Sequence, residues 1–75
     1  TNPNTPVEIL VQLAKDHDSV ARSYIALNTN TPTEILTQLA RDANDYVRKN
    51  AKDALQQRNV YEAVILKILK FQNGT

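Results

Sequence analysis

A chain of 75 residues hides only about 60% of the surface that its unfolded form exposes, so a single compact core is all it can build. Nine Lys and Arg against eight Asp and Glu leave a formal net charge of +1, without the basic excess of a dedicated nucleic-acid binder, and the absence of cysteine excludes disulfides and thiolate metal sites. The longest unbroken apolar run, residues 63–66, is far too short to span a membrane, and the first residues hold neither a basic cluster nor an apolar signal core. A soluble protein is expected, with the cytoplasm as its default location. The missing initiator Met suits a processed form or an excised piece of something longer.

Residues 2–16, NPNTPVEILVQLAKD, match residues 28–42, NTNTPTEILTQLARD, at a constant offset of 26, with eleven of the fifteen positions identical. The offset continues through Arg22 and Arg48, Ala21 and Val47, and Ile25 and Ala51. Each copy opens on a helix-start signal, Thr5-Pro6-Val7-Glu8 and Thr31-Pro32-Thr33-Glu34. In that pattern the Thr hydroxyl accepts a free backbone N–H, Glu reaches back to the Thr N–H, and Pro costs nothing at the first helical position. Helices are predicted over 6–15 and 32–42. Ile9, Leu10, Leu13 and Ala14 share one face of the first, and Ile35, Leu36, Leu39 and Ala40 the same face of the other.

A second helix is predicted in each copy, starting near Asp18 and near Asn44 or Asp45, residues that cap well. Its apolar face comprises Val20, Ala21, Tyr24, Ile25 and Leu27 in the first copy. In the second copy it comprises Tyr46, Val47, Ala51, Ala54 and Leu55. At the next offset the turn sequence is absent, because residues 54–58 read ALQQR. The second helix of copy two is therefore expected to run to Gln57, followed by a separate last helix over 60–71. There Val64, Ile65, Ile68, Leu69 and Lys70 repeat the spacing of Ile35, Leu36, Leu39, Ala40 and Arg41. This segment is expected to close the stack as a degenerate third copy, with Asn73-Gly74-Thr75 as a flexible tail. The organisation expected is one all-α helical-repeat domain: repeat one 2–27, repeat two 28–53 and a closing segment 54–72.

With the turns and helix patterns set out, the sequence resembles the leucine-rich repeat variant family, whose units read NPNTP, an E-x-L-x-x-L-A helix, an acidic turn and V-R-x-x-V-A-x-N. Asn2-Pro3-Asn4-Thr5-Pro6 fits that pattern in full, and Ala21-Arg22, Ile25-Ala26 and Asn28 follow its closing half. The resemblance covers residues 2–53. Departures are Thr29 in place of Pro, a slightly longer unit, Lys52 in place of a small residue, and the missing third turn. The resemblance implies a right-handed, HEAT-like α-solenoid, and such families commonly serve as protein-binding scaffolds. A family member carries an iron–sulfur cluster in a cysteine-rich segment, which this cysteine-free chain does not share, so no cofactor is expected.

Candidate sites divide into those explained by structure and those pointing outward. Glu8 and Glu34 are read as capping residues rather than as paired catalytic carboxylates. Asp16-His17-Asp18 offers metal-binding side chains but reads as a hydrophilic turn, since position 43 in the other copy is Ala, and no metal site is assigned. Arg22 and Arg48 follow Asp16 and Asp42 by six residues, a spacing resembling the Asp–Arg ladder that links units in HEAT-like stacks. Arg48, Lys49 and Lys52, flanked by Arg41 and Arg58, form the main basic concentration, read as a solvated face with nucleic-acid contact as the alternative. The last helix leaves Leu66, Leu69 or Phe71 exposed if it acts as an end cap, so these three are the candidate interaction residues, for a protein partner or a second copy. No nucleophile with an adjacent base and no glycine-rich phosphate loop is visible, and the expected function is a non-catalytic interaction or scaffolding module with no small-molecule substrate.

Overall fold

The computed structural model describes residues 6–72. The first turn through Thr5, its capping role and the tail Asn73-Gly74-Thr75 lie outside the described residues. Among those described, the chain is all-helical, with α1 at Val7–Leu13, α2 at Ser19–Leu27, α3 at Thr33–Leu39 and α4 at Asp45–Gln72, and no strand. No helix among them is long and apolar enough to cross a membrane. The starts of α1 and α3, and of α2 and α4, each differ by the 26 residues of the repeat.

The turn between the helices of each pair is built the same way twice. Asp16 Oδ1 accepts the Asp18 N–H at 2.8 Å, and Asp42 Oδ1 accepts the Asn44 N–H at 2.8 Å. The next helix is then capped as predicted: Asp18 Oδ1 accepts from the Val20 N–H at 2.9 Å, and Asn44 Oδ1 accepts from Tyr46 and Val47 at 2.9 and 3.1 Å. Each cap satisfies N–H groups that the first helical turn leaves without a partner.

The starts of α1 and α3 work differently from the predicted capping box. Pro6 and Pro32 are the cap residues, with no side-chain cap bond at either. Thr31 is buried and its hydroxyl donates to the Ile25 carbonyl at 2.6 Å. The physical reason is that α2 ends inside the structure, where the Ile25 carbonyl, already accepting the Asn28 N–H at 3.1 Å, has a second lone pair that the hydroxyl fills. Glu34 keeps a favourable position in the first turn of α3, and Glu8 in that of α1, near the positive ends of the helix dipoles.

The core lies where α2, α3 and α4 meet and takes in Leu10 from α1. Leu10, Ile25, Ala26, Leu36, Leu39, Val47 and Ala51 are buried. Several residues assigned to apolar core faces are exposed instead: Ile9 and Leu13 on α1, Val20, Tyr24 and Leu27 on α2, and Tyr46 on α4. On α2 the positions split, since Ala21 and Ile25 point inward while Val20, Tyr24 and Leu27, at i, i+4 and i+7, make the adjoining, open face.

The separate last helix is not formed. Residues 45–72 make one 28-residue helix, which at about 1.5 Å per residue spans about 42 Å. No Gly or Pro lies between Asp45 and Gln72, so nothing interrupts the backbone ladder at residues 57–60. The first half of α4 packs through Val47, Ala51, Ala54 and Leu55. Further along, Arg58 ties the helix to the preceding turn, with Nη1 donating to Thr33 Oγ1 at 3.2 Å and Nη2 to the Thr29 carbonyl at 3.3 Å. Beyond Arg58 every residue to Gln72 is exposed, so the segment expected to close the stack leaves it and gives the chain a long axis of 51 Å.

Candidate interaction surfaces

The joint between the two helix pairs is an arginine fork. Arg22 Nε donates to Asp42 Oδ2 at 2.7 Å and Nη2 to Asp42 Oδ1 at 3.0 Å, a bidentate pair linking α2 to the turn before α4. The remaining donor, Nη1, reaches the Asp16 and His17 carbonyls at 2.8 and 3.0 Å, holding the guanidinium in its own turn. Both side chains are largely covered. The Arg22 hydrogen bonds hold the Asp42 carboxyl below its ordinary range, over the opposing effect of burial, with the Asn44 N–H adding to the lowering. The same hydrogen bond raises the Arg22 pKa. A second cross-link, Asn50 Nδ2 to Ser23 Oγ at 2.7 Å, ties α4 to α2 alongside it.

The residue six before each arginine, Asp16 or Asp42, therefore contributes its backbone carbonyl, while the carboxylate partner comes from the following unit. Arg48 follows the first half of that rule, with Nη1 donating to the Asp42 carbonyl at 2.9 Å. Its Nη2 pairs locally with Asp45 Oδ1. Lys49 lies 3.4 Å from Asp53. Arg58 is drawn off to the turn at Thr29 and Thr33. The basic concentration predicted around Arg48, Lys49 and Lys52 is thus interleaved with its own acids. Asp16 and Asp18 each use a carboxylate oxygen on the turn, and among the described residues no group of three or more His, Cys, Asp or Glu could hold a metal ion.

Leu66, Leu69 and Phe71 are all exposed, but they do not form one patch. At about 100° per residue, Tyr61, Val64, Ile68 and Phe71 fall within about 80° of one another, with Ile65 beside them. Leu69 sits about 100° round from Ile68, and Leu66 about 160°. The surface that α4 offers is consequently the Tyr61–Val64–Ile68–Phe71 row, with Leu69 at its edge and Leu66 nearly opposite. Its spacing of three, four and three residues matches the seam by which one helix packs along another.

A groove of about 580 Å³ leads into this row, lined by Leu27 and Thr29 at the end of α2 and by Asn50, Ala54, Arg58 and Tyr61 on α4. A shallower depression of about 320 Å³ continues along α2 beside Val20, Tyr24, Leu27 and Tyr46. Sequence periodicity could not single out these two hollows, because it groups Val20, Tyr24 and Leu27 with the residues that form the core. No family model, no curated protein and no solved structure matches this chain.

Proposed function

We propose that this chain is a non-catalytic protein-interaction module, a short right-handed α-solenoid of the HEAT-like kind, resembling the leucine-rich repeat variant family. Helix pairs at a constant offset, joined by an Arg22–Asp42 fork, support the solenoid reading. The observation that carries the interaction reading is the second half of α4. It holds apolar residues at helix-seam spacing on a segment that is exposed from residue 59 to residue 72. The occupant it suits is another amphipathic helix, and a second copy of α4 meets that requirement with matching spacing and length.

The nucleic-acid alternative, through Arg48, Lys49 and Lys52, is the weaker one. Asp45 and Asp53 already engage two of those three cations, and the net charge is near neutral. Light scattering over a range of protein and salt concentrations tests the reading. Association that persists at high salt and is lost on substitution of Ile68 supports it; a chain that stays monomeric at high concentration and tolerates that substitution in every binding assay overturns it.

A further inference from the structure

Burial compared at equivalent positions of the two repeats separates two stacking faces. Ile35 is 7% exposed and its equivalent Ile9 45%; Leu39 is 3% exposed and its equivalent Leu13 36%. Asp42 is largely covered by Arg22, whereas its equivalent Asp16 is exposed. In repeat two all three are covered, Asp42 by Arg22 of repeat one and Ile35 and Leu39 within the core that both repeats share. Repeat one keeps the same three residue types, and there all three are exposed.

The opposite face behaves differently. Positions of repeat one that are buried or half-buried, Val11, Ser23 and Ala26, are replaced in repeat two by Thr37, Lys49 and Lys52, all exposed. That substitution pattern is what water demands of a terminal face. Ile9, Leu13 and Asp16 have undergone no such change, although their exposure is comparable.

We infer that the face of α1 bearing Ile9, Leu13 and Asp16 is a second docking surface, distinct from α4, that receives a further helical repeat of this same kind. The occupant presents a small residue where repeat one has Ala26 and an arginine where it has Arg22. The Asp16 carboxylate takes that guanidinium as Asp42 takes Arg22, and its turn is already set, with Oδ1 accepting the Asp18 N–H. The exposed end of a second copy does not fit, because Lys52 stands at the small-residue position and its ammonium would be buried against Ile9 and Leu13. Charge and shape together therefore specify a repeat resembling 2–27 rather than one resembling 28–53.

The test inserts one additional copy of residues 2–27 between Thr1 and Asn2, which keeps the offset of 26 and places the added arginine in the same register with Asp16 that Arg22 has with Asp42. Hydrogen exchange is read at the amides of the original α1. The expected result is exchange slowed at least about tenfold relative to the 75-residue chain. Asp16→Asn, which keeps the acceptor for Asp18, and Leu13→Lys should each reverse the slowing in the extended chain and leave α1 exchange unchanged in the shorter one. Unaltered α1 exchange in the extended chain overturns the inference, as does slowing that survives both substitutions. Light scattering of the same variants keeps the two surfaces apart, since association through α4 responds to Ile68 and not to Asp16.

Discussion

Replacing Ile68 by Asp tests the exposed row of α4 where it is most sensitive. Ile68 lies about 15 Å beyond Arg58 at about 1.5 Å per residue, and is 51% exposed. Its substitution therefore removes little from the isolated chain, and the melting temperature should move only within the range of surface changes, about 0.5 kcal/mol. In a helix-to-helix complex the cost is different. Loss of the remaining burial amounts to about 1 kcal/mol per copy, and a carboxylate left without a hydrogen-bond partner between apolar faces adds at least about 1 kcal/mol. In a twofold pair the change occurs twice, so about 4 kcal/mol is lost and the dissociation constant rises about 10³-fold. Sedimentation or light scattering over a concentration series measures this directly. Leu66→Asp, on the far side of the helix, is the control and should weaken association less than about threefold, an energy below about 0.7 kcal/mol. Equal effects of the two substitutions would refute the assignment of the face.

Other consequences follow from the joints. Because the folded-state pKa of Asp42 is lowered, the unfolded chain binds the extra proton first. The fork's contribution is thus present above the ordinary value of 3.8 and is lost as pH falls through the lower folded value. Thermal melts should show Asp42→Asn less stable than the parent at neutral pH and flatter in its acid limb. Thr31→Val should cost about 1 kcal/mol, since it keeps the shape and removes one of the two hydrogen bonds to the Ile25 carbonyl, which still accepts the Asn28 N–H; Thr31→Ser should restore much of it, read by urea denaturation. Ile35→Ala should cost about 2–5 kcal/mol by the same assay, and Ile9→Ala at the equivalent but open position well under half as much. In hydrogen exchange of the monomer, amides of α4 on the core side of Arg58 should be protected and those beyond residue 62 should exchange quickly, because only packing distinguishes them.

Much of the local organisation is written in residue order. The offset of 26 places the helix starts, and Asp18 and Asn44 stand where side-chain oxygens close the first turn. The acidic turns and the arginines that anchor to their carbonyls are likewise visible as spacing, although the spacing does not say which acid each arginine takes. The carboxylate for Arg22 is twenty residues on, at Asp42, and only the approach of one helix pair to the next brings it within 2.7 Å. Thr31 gives a similar lesson. Its capping signature is correct in composition, but burial of the α2 end makes an inward-facing donor more valuable than an acceptor at the helix start.

The sequence by itself determined that the chain is helical, where the turns within the two repeats fall and which side chains repeat, since these follow from short-range propensity and periodicity. Tertiary structure alone decided which of the repeated apolar residues are covered. Ile9 and Ile35 have the same neighbours along the chain, and differ because one has a helix pair stacked upon it and the other does not. The same holds for α4, whose apolar spacing is continuous from Val47 to Phe71 but whose residues beyond Arg58 are all exposed to Gln72. Burial is a property of what lies opposite a residue, and that is set by how the helix pairs meet in space.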